Sequence, residues 1–275
     1  MTKIQNVAIG GFGAIGMAVA RKIDEGMQGL RLAAVSARDR EAAKARMSGY
    51  RNPVPVVAAS ELALHGDIVV ECAPAAVFPE IAEPALRAGR ILMPLSVGQL
   101  LAHPEYEQLA RQYGGRILAP TGALIGLDAV RAAAEGTIES VSMVTRKPPG
   151  GLAGAPYLQQ QGISLDGLSE PLKVFEGSAR EGAAGFPANV NVAAALSLAG
   201  IGPDRTRLEI WADPSVTRNT HTIRVEADSA RFEMKIENVP SVDNPRTGMI
   251  TAFSVIATLR GVTAPVSYTH LTLPT

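Results

Sequence analysis

The sequence has very little cysteine, no excess of either charge and no long apolar run. Cys72 is the one cysteine among 275 residues, which excludes a disulfide within the chain and a cysteine-based zinc site. Lysine plus arginine and aspartate plus glutamate number 26 each, so neither nucleic acid nor an anionic membrane is expected as a partner. No apolar segment approaches the roughly 20 residues that span a bilayer, and no apolar leader precedes the strand pattern that begins by Ile4. We therefore expect a cytoplasmic protein without a metal site.

The first 120 residues alternate short apolar runs with helical patterns, within a chain that is 47% hydrophobic and long enough for two modest domains. Strands are predicted at Val7–Ile9, Leu32–Val35, Asp67–Cys72, Ile91–Met93 and Ile117–Leu118, and helices at Ala14–Glu25, Val77–Ala88 and Pro104–Tyr113. Parallel strands that are buried on both faces are apolar along their whole length. The pattern therefore predicts an α/β fold with a Rossmann-type, doubly wound parallel sheet.

From about residue 121 the pattern changes. A helix is predicted over Leu124–Glu135, and alternating strands at Glu139–Val144, Arg207–Trp211, Thr220–Glu226 and Arg231–Glu237. Such alternation is typical of a half-buried, largely antiparallel sheet, here in a second α+β domain. The glycine- and proline-rich stretch 147–168 predicts a long loop of the kind that can serve as a lid. A helix over Pro245–Leu259, with Asn244 as its cap, is predicted near the end.

These patterns predict four parts of the chain. Residues 1–120 form a Rossmann-type domain, and residues 121–240 form a mixed α+β domain. Residues 241–262 carry a helix that returns to the first domain. Residues 263–275 form an irregular tail, and its His270 receives no role.

The segment from Val7 to Gly16 is a strand that runs into Gly-x-Gly-x-x-Gly and then into a helix. In this motif Gly11 permits the tight turn, Gly13 lets a pyrophosphate approach the backbone, and Gly16 lets the helix pack on the strand. The free N–H groups of the helix start favour an anion. The predicted site for NAD or NADP comprises Gly11, Phe12, Gly13, Ala14, Ile15 and Gly16; the alternative is a glycine-rich turn that binds nothing.

The residues after the second strand bear on the choice between NAD and NADP. NAD-selective sites usually carry an acidic residue about 20 residues past the glycine loop, where it binds the ribose 2′-hydroxyl. Here no acid stands at the strand end, and Ser36 and Arg38 could hold a 2′-phosphate, since a guanidinium matches phosphate geometry. Alternatively, Arg38 caps a surface turn. Both cofactors stay open.

The segment Glu71-Cys72-Ala73-Pro74 ends another buried strand. The carboxyl ends of such strands border the cofactor crevice, so Ala73 and Pro74 either contact the cofactor or form a plain turn. The segment Ser96-Val97-Gly98 has the same two interpretations.

Two polar segments in the second half are open to a structural or a functional interpretation. Strand alternation places Asn219, His221, Ile223 and Val225 on one face, where His221 is either a satisfied core residue or a catalytic base. The segment from Phe186 to Val192 is predicted to open a helix that runs to about Leu198. Its Asn189 and Asn191 either cap that helix or bond a nicotinamide carboxamide.

Together these segments resemble the L-aspartate dehydrogenase family. The matching segments are Val7–Gly16, Glu71–Pro74, Ser96–Gly98, Gly122–Ala123, Leu127–Ala129, Arg146–Pro149, Val174–Ala179, Phe186–Val192, Asn219–Thr222, Asn238–Ser241 and Asn244–Pro245. They run in family order up to about Arg260, and Phe186–Val192 and Asn219–Thr222 are the most specific. The chain departs from the family at Val266–Thr275, where a short arginine-containing segment is usual.

The resemblance implies NAD(P)-dependent oxidative deamination of L-aspartate to iminoaspartate, a precursor in NAD biosynthesis, with reductive amination of oxaloacetate by ammonia as the reverse. It also implies cofactor contacts at Ala123 and Asn191, catalysis by His221, and a homodimer formed through the second domain.

A substrate with two carboxylates calls for cationic partners. Lys147, Arg146 and Arg218 are the candidates, and each could equally be an ordinary surface charge. Two alternatives to the implied function stay open: another amino-acid-pathway dehydrogenase on the same architecture, and a catalytically silent NAD(P)-binding sensor.

Overall fold

The computed structural model describes residues 4–187, 191–241, 244 and 247–265. The chain divides into two compact units. The first comprises Met1–Pro120 and Thr251–Thr275, and the second comprises Thr121–Ile250. Within the described ranges, no helix is long and apolar enough to cross a membrane.

The first unit is built on a six-stranded sheet. Its strands are β1 (Gln5–Gly10), β2 (Leu30–Ser36), β3 (Val56–Val57), β4 (Ile68–Glu71), β5 (Ile91–Pro94) and β6 (Arg116–Ile117). They lie in the order β3-β2-β1-β4-β5-β6, and every neighbouring pair is parallel. The helices between them are α1 (Ala14–Asp24), α2 (Arg40–Met47), α3 (Leu62–His65), α4 (Phe78–Arg87), α5 (Gly98–Ala102) and α6 (Glu105–Tyr113). The predicted Rossmann-type parallel sheet is confirmed.

The strands of this sheet are apolar on both faces because helices cover both. Ile9 and Val70 face a core shared with α1 and α2, whereas Ala8 and Val69 face a core shared with α3, α4 and α6. The direction of winding reverses between β1 and β4, where Gly10 pairs with Glu71. In open α/β sheets ligands bind outside the carboxyl ends of the strands at this reversal.

The second unit contains a five-stranded mixed sheet. Its strands are β7 (Ile138–Lys147), β8 (Leu172–Ser178), β9 (Thr206–Ala212), β10 (Thr220–Ala227) and β11 (Arg231–Glu237), in the order β11-β10-β7-β9-β8. Its helices are α7 (Leu127–Ala133), α8 (Pro156–Gln160), α9 (Ala179–Gly185) and α10 (Asn191–Ala199). Three of the four strand pairs are antiparallel and β7–β9 is parallel, which confirms the predicted largely antiparallel sheet.

Helices cover one face of this second sheet. A β-carbon at Gly182 of α9 would lie 2.5 Å from the Leu208 side chain, and one at Gly200, just past α10, would lie 3.6 Å from Val141. Alternation along β7 puts Thr145 and Lys147 on the same covered face as Val141. The side chains between them, such as Arg146, lie on the opposite face.

The helix α11 (Met249–Thr263) completes the first unit from the far end of the sequence. Val255 and Leu259 are fully buried in the core shared by β1, α1 and α2. The hydroxyl of Thr263 donates a hydrogen bond to the carbonyl of Gln28 at 2.9 Å. The N-terminal sheet therefore depends on residues at the opposite end of the described chain.

Several predicted elements differ from the structure. The stretch predicted as a loop from Lys147 begins inside β7, contains α8, and buries Leu152 and Leu158. Local sequence favours a loop there because glycine and proline are frequent, whereas the structure uses the apolar residues between them as anchors. The predicted sequence elements also omit α2, α3, α5, α9, β3 and β8.

Three predicted helix starts are also wrong. The helix predicted from Leu124 begins at Leu127, after Gly126 at a φ of 66°. Phe186 opens no helix, because it is the residue that ends α9. Asn244 bonds Thr247 and lies before α11, which begins at Met249. Asn189, Pro245, and the tail Val266–Thr275 with His270 lie outside the described residues.

Candidate active site

The glycine loop joins β1 to α1 at the carboxyl edge of the parallel sheet. Gly11 has a φ of 99°, which only glycine adopts at low cost. A β-carbon there would lie 2.5 Å from the carbonyl oxygen of Cys72. The tight turn therefore lies directly against the segment that follows β4.

The other two glycines of the loop have different surroundings. A β-carbon at Gly16 would lie 1.9 Å from the carbonyl oxygen of Gly11, so Gly16 is needed for the helix to pack. A β-carbon at Gly13 would meet no atom within 4 Å, and Gly13 is the N-cap of α1. This open space in front of unpaired helix N–H groups fits the pyrophosphate of a dinucleotide.

The remaining loop residues shape the backbone. Phe12 is buried, and its ring centroid lies 6.0 Å from that of Tyr50, so its side chain anchors the loop and offers a ligand only its backbone. Ala14 and Ile15 form the first turn of α1, where Ile15 packs on the same core.

The end of β2 lies beside the glycine loop. The N–H of Gly11 donates to the carbonyl of Ser36 at 3.0 Å, and Arg38 follows two residues later with an exposed side chain. The cap of α2 is provided by Asp39, whose carboxylate accepts from the N–H of Ala42 at 2.9 Å. Arg38 therefore does not cap that helix.

Glu71 links the two segments that follow β4 and β5. It is fully buried, and its carboxylate accepts from the N–H of Ser96 at 2.9 Å, from the Ser96 hydroxyl at 3.0 Å, and from the N–H of Ala73 at 3.0 Å. Burial raises the pKa of the Glu71 carboxyl, and these hydrogen bonds oppose the rise. The carboxylate holds the segment containing Ala73 and Pro74 against the glycine loop.

Cys72 is not poised as a nucleophile. Its thiol donates to the carbonyl of Gly11 at 3.3 Å, and burial raises the pKa of that thiol. A thiolate, the reactive form, is therefore disfavoured here.

In the second unit, His221 lies on the covered face of the sheet. It is 2% exposed, it is opposite Thr145 in the β10–β7 pairing, and its Nδ1 is 3.0 Å from the Thr145 hydroxyl oxygen. A hydroxyl can accept from Nδ1–H, which leaves the lone pair of Nε2 to act as a base. The partner is a side chain and not the backbone.

Lys147 shares this face with His221. It is buried, and burial lowers its pKa to about 8. The pKa of His221 is lowered to about 3, first by burial and then by the positive charge of Lys147. At neutral pH the histidine is therefore a neutral base beside a buried cation, an arrangement that an anionic ligand would stabilise.

The two arginine candidates lie elsewhere. Arg146 faces the opposite side of the sheet, donates to the Asp213 carboxylate at 3.0 Å, and stacks its guanidinium 4.7 Å from the centre of the Trp211 ring. Arg218 is exposed between β9 and β10, near Glu237, whose pKa is lowered first by its hydrogen bond to Lys235 and to a lesser extent by the charge of Arg218. The structure thus brings Lys147, but not Arg146, to the face of His221.

The expected cofactor contacts of this unit lie on two segments. The carbonyl of Ala123 accepts from Nδ2 of Asn238 at 3.2 Å. Asn191 is the first residue of α10 and is exposed. In the described part of the chain, no group of three histidine, cysteine, aspartate or glutamate residues could hold a metal ion.

Sequence reasoning assigned no role to Thr145, Asn238 or Glu71. Thr145 lies one residue past the strand predicted over Glu139–Val144, and its partner depends on strand register. Asn238 and Glu71 stood in recognised segments, yet their hydrogen bonds join residues distant in sequence.

Family models match both halves of the chain, and a related protein matches nearly all of it. A family model described as aspartate dehydrogenase, C-terminal, matches residues 128–262, and one described as homoserine dehydrogenase, NAD binding domain, matches residues 11–120. The L-aspartate dehydrogenase 3 of Bordetella bronchiseptica is 58% identical over 261 residues, covering 94% of this chain and 96% of that protein.

Two other matches agree with these. An L-aspartate dehydrogenase of Bradyrhizobium diazoefficiens is 58% identical over 254 residues, covering 92% of this chain and 90% of that protein. The crystal structure of an aspartate dehydrogenase from Thermotoga maritima matches with a TM-score of 0.70 and 25% identity, covering 96% of this chain and 99% of that one.

Proposed function

Since the chain belongs to the L-aspartate dehydrogenase family, we propose that His221 is the acid–base residue of its reaction. That reaction is the NAD(P)-dependent oxidative deamination of L-aspartate to iminoaspartate and, in reverse, the reductive amination of oxaloacetate. The observation that carries the proposal is the buried cluster of His221, Thr145 and Lys147 on one face of the second sheet.

The chemistry requires a base at the substrate nitrogen. The amine of aspartate is protonated at neutral pH, and its lone pair must be free before a double bond to Cα can form as hydride departs. The neutral imidazole of His221 accepts that proton at Nε2, while Thr145 accepts from Nδ1–H both before and after the transfer. Thr145 is thus a positioning residue, which keeps one ring orientation through the cycle.

Lys147 couples substrate binding to this proton transfer. Its charge is one of the two causes that depress the pKa of His221. A substrate carboxylate paired with Lys147 would neutralise that charge and make the imidazole more basic. Binding of the dicarboxylate would therefore make His221 a stronger base than it is in the free protein.

The dinucleotide supplies the hydride-accepting nicotinamide ring when bound. We propose that the backbone of Gly11–Gly16, with Ala73 and Pro74 beside it, holds the pyrophosphate. The open space at Gly13 and the packed contacts of Gly11 and Gly16 support this assignment. Ser36 and Arg38 would border the ribose, and Ala123 and Asn191 would contact the nicotinamide half.

Replacing Lys147 by methionine is expected to weaken aspartate binding and to stabilise the fold. A charge-assisted hydrogen bond contributes about 1.5–3 kcal/mol, so KM for aspartate should rise roughly 10- to 100-fold. The folded pKa of about 8 lies below the ordinary 10.5, so the unfolded chain binds the proton more tightly and the buried charge opposes folding at neutral pH. Tm should therefore rise. Kinetics and thermal unfolding at pH 7 measure both.

A charge-matched control is available on the same sheet. Lys235 is more than half exposed, pairs with Glu237, and lies on the solvent side of β11. Lys235→Met should leave both KM and Tm close to the parent values. An unchanged KM in Lys147→Met would remove Lys147 from the substrate site.

A direct assay tests the function itself. Purified protein is mixed with NAD or NADP and a panel of amino acids, and cofactor reduction is followed. We expect reduction with L-aspartate. Tight nucleotide binding without turnover of any amino acid would instead favour the silent sensor, and turnover of a different amino acid would favour another dehydrogenase.

The proposal extends to assembly and location. We propose a homodimer formed through the second unit, whose sheet leaves uncovered the polar face that carries Arg146 and Trp211. Sedimentation velocity tests it, and a monomer at micromolar concentration would contradict it. We also propose that the protein works in the cytoplasm, where a nicotinamide pool exists, which cell fractionation tests.

A further inference from the structure

Asn238 presents a buried hydrogen-bond acceptor that no described residue satisfies. The residue is 4% exposed, and its Nδ2 donates to the carbonyl of Ala123 at 3.2 Å. Only an N–H can face a carbonyl oxygen, so this bond fixes which end of the carboxamide is which. The other end, Oδ1, is closed to solvent and has no partner among the described residues.

An acceptor left in this state is costly. A buried polar atom without a partner costs about 1–3 kcal/mol, and in the described ranges only one other side-chain atom, Oε1 of Gln5, is in the same condition. The Asn238 carboxamide is also held firmly. A β-carbon at Gly248 would lie 3.1 Å from Oδ1, and the N–H of Met249 donates to the carbonyl of Val239 at 2.9 Å.

Asn238 is a neighbour of the catalytic histidine. His221 is opposite Ile236 in the β10–β11 pairing, and the N–H of Asn238 donates to the carbonyl of Asn219 at 2.8 Å. Alternation places His221, Ile236 and Asn238 on one face. Diagonal neighbours of this kind have side chains roughly 7–8 Å apart, a separation that a small ligand group can bridge.

We propose that Oδ1 of Asn238 accepts a hydrogen bond from the substrate nitrogen, which is the α-amino group of aspartate or, in reverse, ammonia. This inference rests on the proposed function. The nitrogen gives one proton to His221 and presents a second N–H to Asn238. Asn238 thereby becomes a specificity-determining residue of this site.

The chemical consequence is discrimination between an amine and a hydroxyl. L-malate, the hydroxy analogue of aspartate, carries one O–H and can satisfy either His221 or Asn238, leaving the other unpaired. Aspartate satisfies both. A site that hydrogen-bonds its ligand rejects an analogue that leaves a buried polar group without a partner.

The test compares aspartate with L-malate in the parent protein and in Asn238→Leu. In the variant, KM for aspartate should rise at least about tenfold, the effect of losing one hydrogen bond to a charged group. The inhibition constant of L-malate against aspartate should change less than about threefold, since its hydroxyl can still bond His221. Cofactor affinity, measured by nucleotide fluorescence, should stay unchanged.

Gln5→Met is the matched control. It removes the other side-chain carbonyl without a partner among the described residues. Gln5 is the first residue of β1, at the amino end of this strand, whereas the glycine loop follows its carboxyl end. The ratio of the aspartate KM to the malate inhibition constant should stay at the parent value in this control.

Three outcomes would overturn the inference. Equal losses of affinity for aspartate and for malate would mean that Asn238 only holds the segment of Ala123 in place. Weaker cofactor binding with an unchanged ratio would identify the nicotinamide carboxamide as the N–H donor. No change at all would mean that a buried water satisfies Oδ1. Absence of aspartate turnover in the parent protein would instead reject the proposed function, independently of the variant.

Discussion

The His221→Asn variant is expected to lose aspartate oxidation by roughly 10²- to 10⁴-fold in kcat, the usual contribution of a positioned acid–base group. Asparagine keeps a polar side chain that can still bond the Thr145 hydroxyl, but it cannot take up a proton at neutral pH. Cofactor affinity should be unchanged. Steady-state kinetics with nucleotide binding in the same preparation measures the split.

Thr145→Val is the companion variant for this prediction. It removes the hydroxyl that holds Nδ1 and leaves a side chain of similar shape. Because the ring remains but loses its orientation, we expect a smaller loss of kcat than in His221→Asn. Near-parental activity in the asparagine variant would make His221 an ordinary core histidine.

The stability of the same variant gives a second readout. The folded pKa of His221 is about 3, below its ordinary 6.5. Between pH 6.5 and pH 3 the imidazole is protonated in the unfolded chain but stays neutral in the folded chain. This histidine therefore lowers the free energy of unfolding as pH falls below about 6.5. The asparagine variant lacks this loss. As pH falls from 7 to 5, the free energy of unfolding of the variant should therefore rise relative to that of the parent. Urea unfolding at each pH measures this difference.

We expect Gly13→Val to lose cofactor binding while it still folds, and Gly16→Ala to lose stability. The valine β-carbon meets no protein atom within 4 Å at position 13, where the φ of −92° suits an ordinary residue. The variant should fold normally, yet its side chain would occupy the space assigned to the pyrophosphate. Loss of one charge-assisted hydrogen bond, at about 1.5–3 kcal/mol, weakens cofactor binding roughly 10- to 100-fold.

Alanine at position 16 meets a different obstacle. Its β-carbon would lie 1.9 Å from the backbone oxygen of Gly11, so the helix must move away from the loop. We expect a clear drop in Tm before any effect on binding is measured. Calorimetry and nucleotide titration of both variants separate the two roles, and unchanged nucleotide affinity in Gly13→Val would reject the loop as the phosphate site.

The features predictable from sequence were those with a local signal. Buried parallel strands such as Asp67–Cys72 appear as unbroken apolar runs, so the Rossmann-type sheet could be inferred, and alternation around His221 identified its face. Lys147 was assigned to a loop because glycines and prolines follow it, although it is the last residue of the buried strand β7.

The features that escaped prediction join residues far apart in the chain. The pairing of Thr145 with His221 depends on strand register, which no local pattern specifies. Asp213 neutralises Arg146 from 67 positions away, so the surface position of one candidate cation became evident only in three dimensions. The unsatisfied oxygen of Asn238 is likewise a property of its surroundings and not of its segment.

The position of α11 bears on how the protein folds during synthesis. Val255 and Leu259 pack into the core beneath β1 and α1, yet the ribosome makes them after the whole of the second unit. Chains fold as they emerge, so the second unit can form while the first still lacks a helix over its core. The nucleotide-binding half, whose first strand is translated at the outset, is therefore the last part of the molecule to mature.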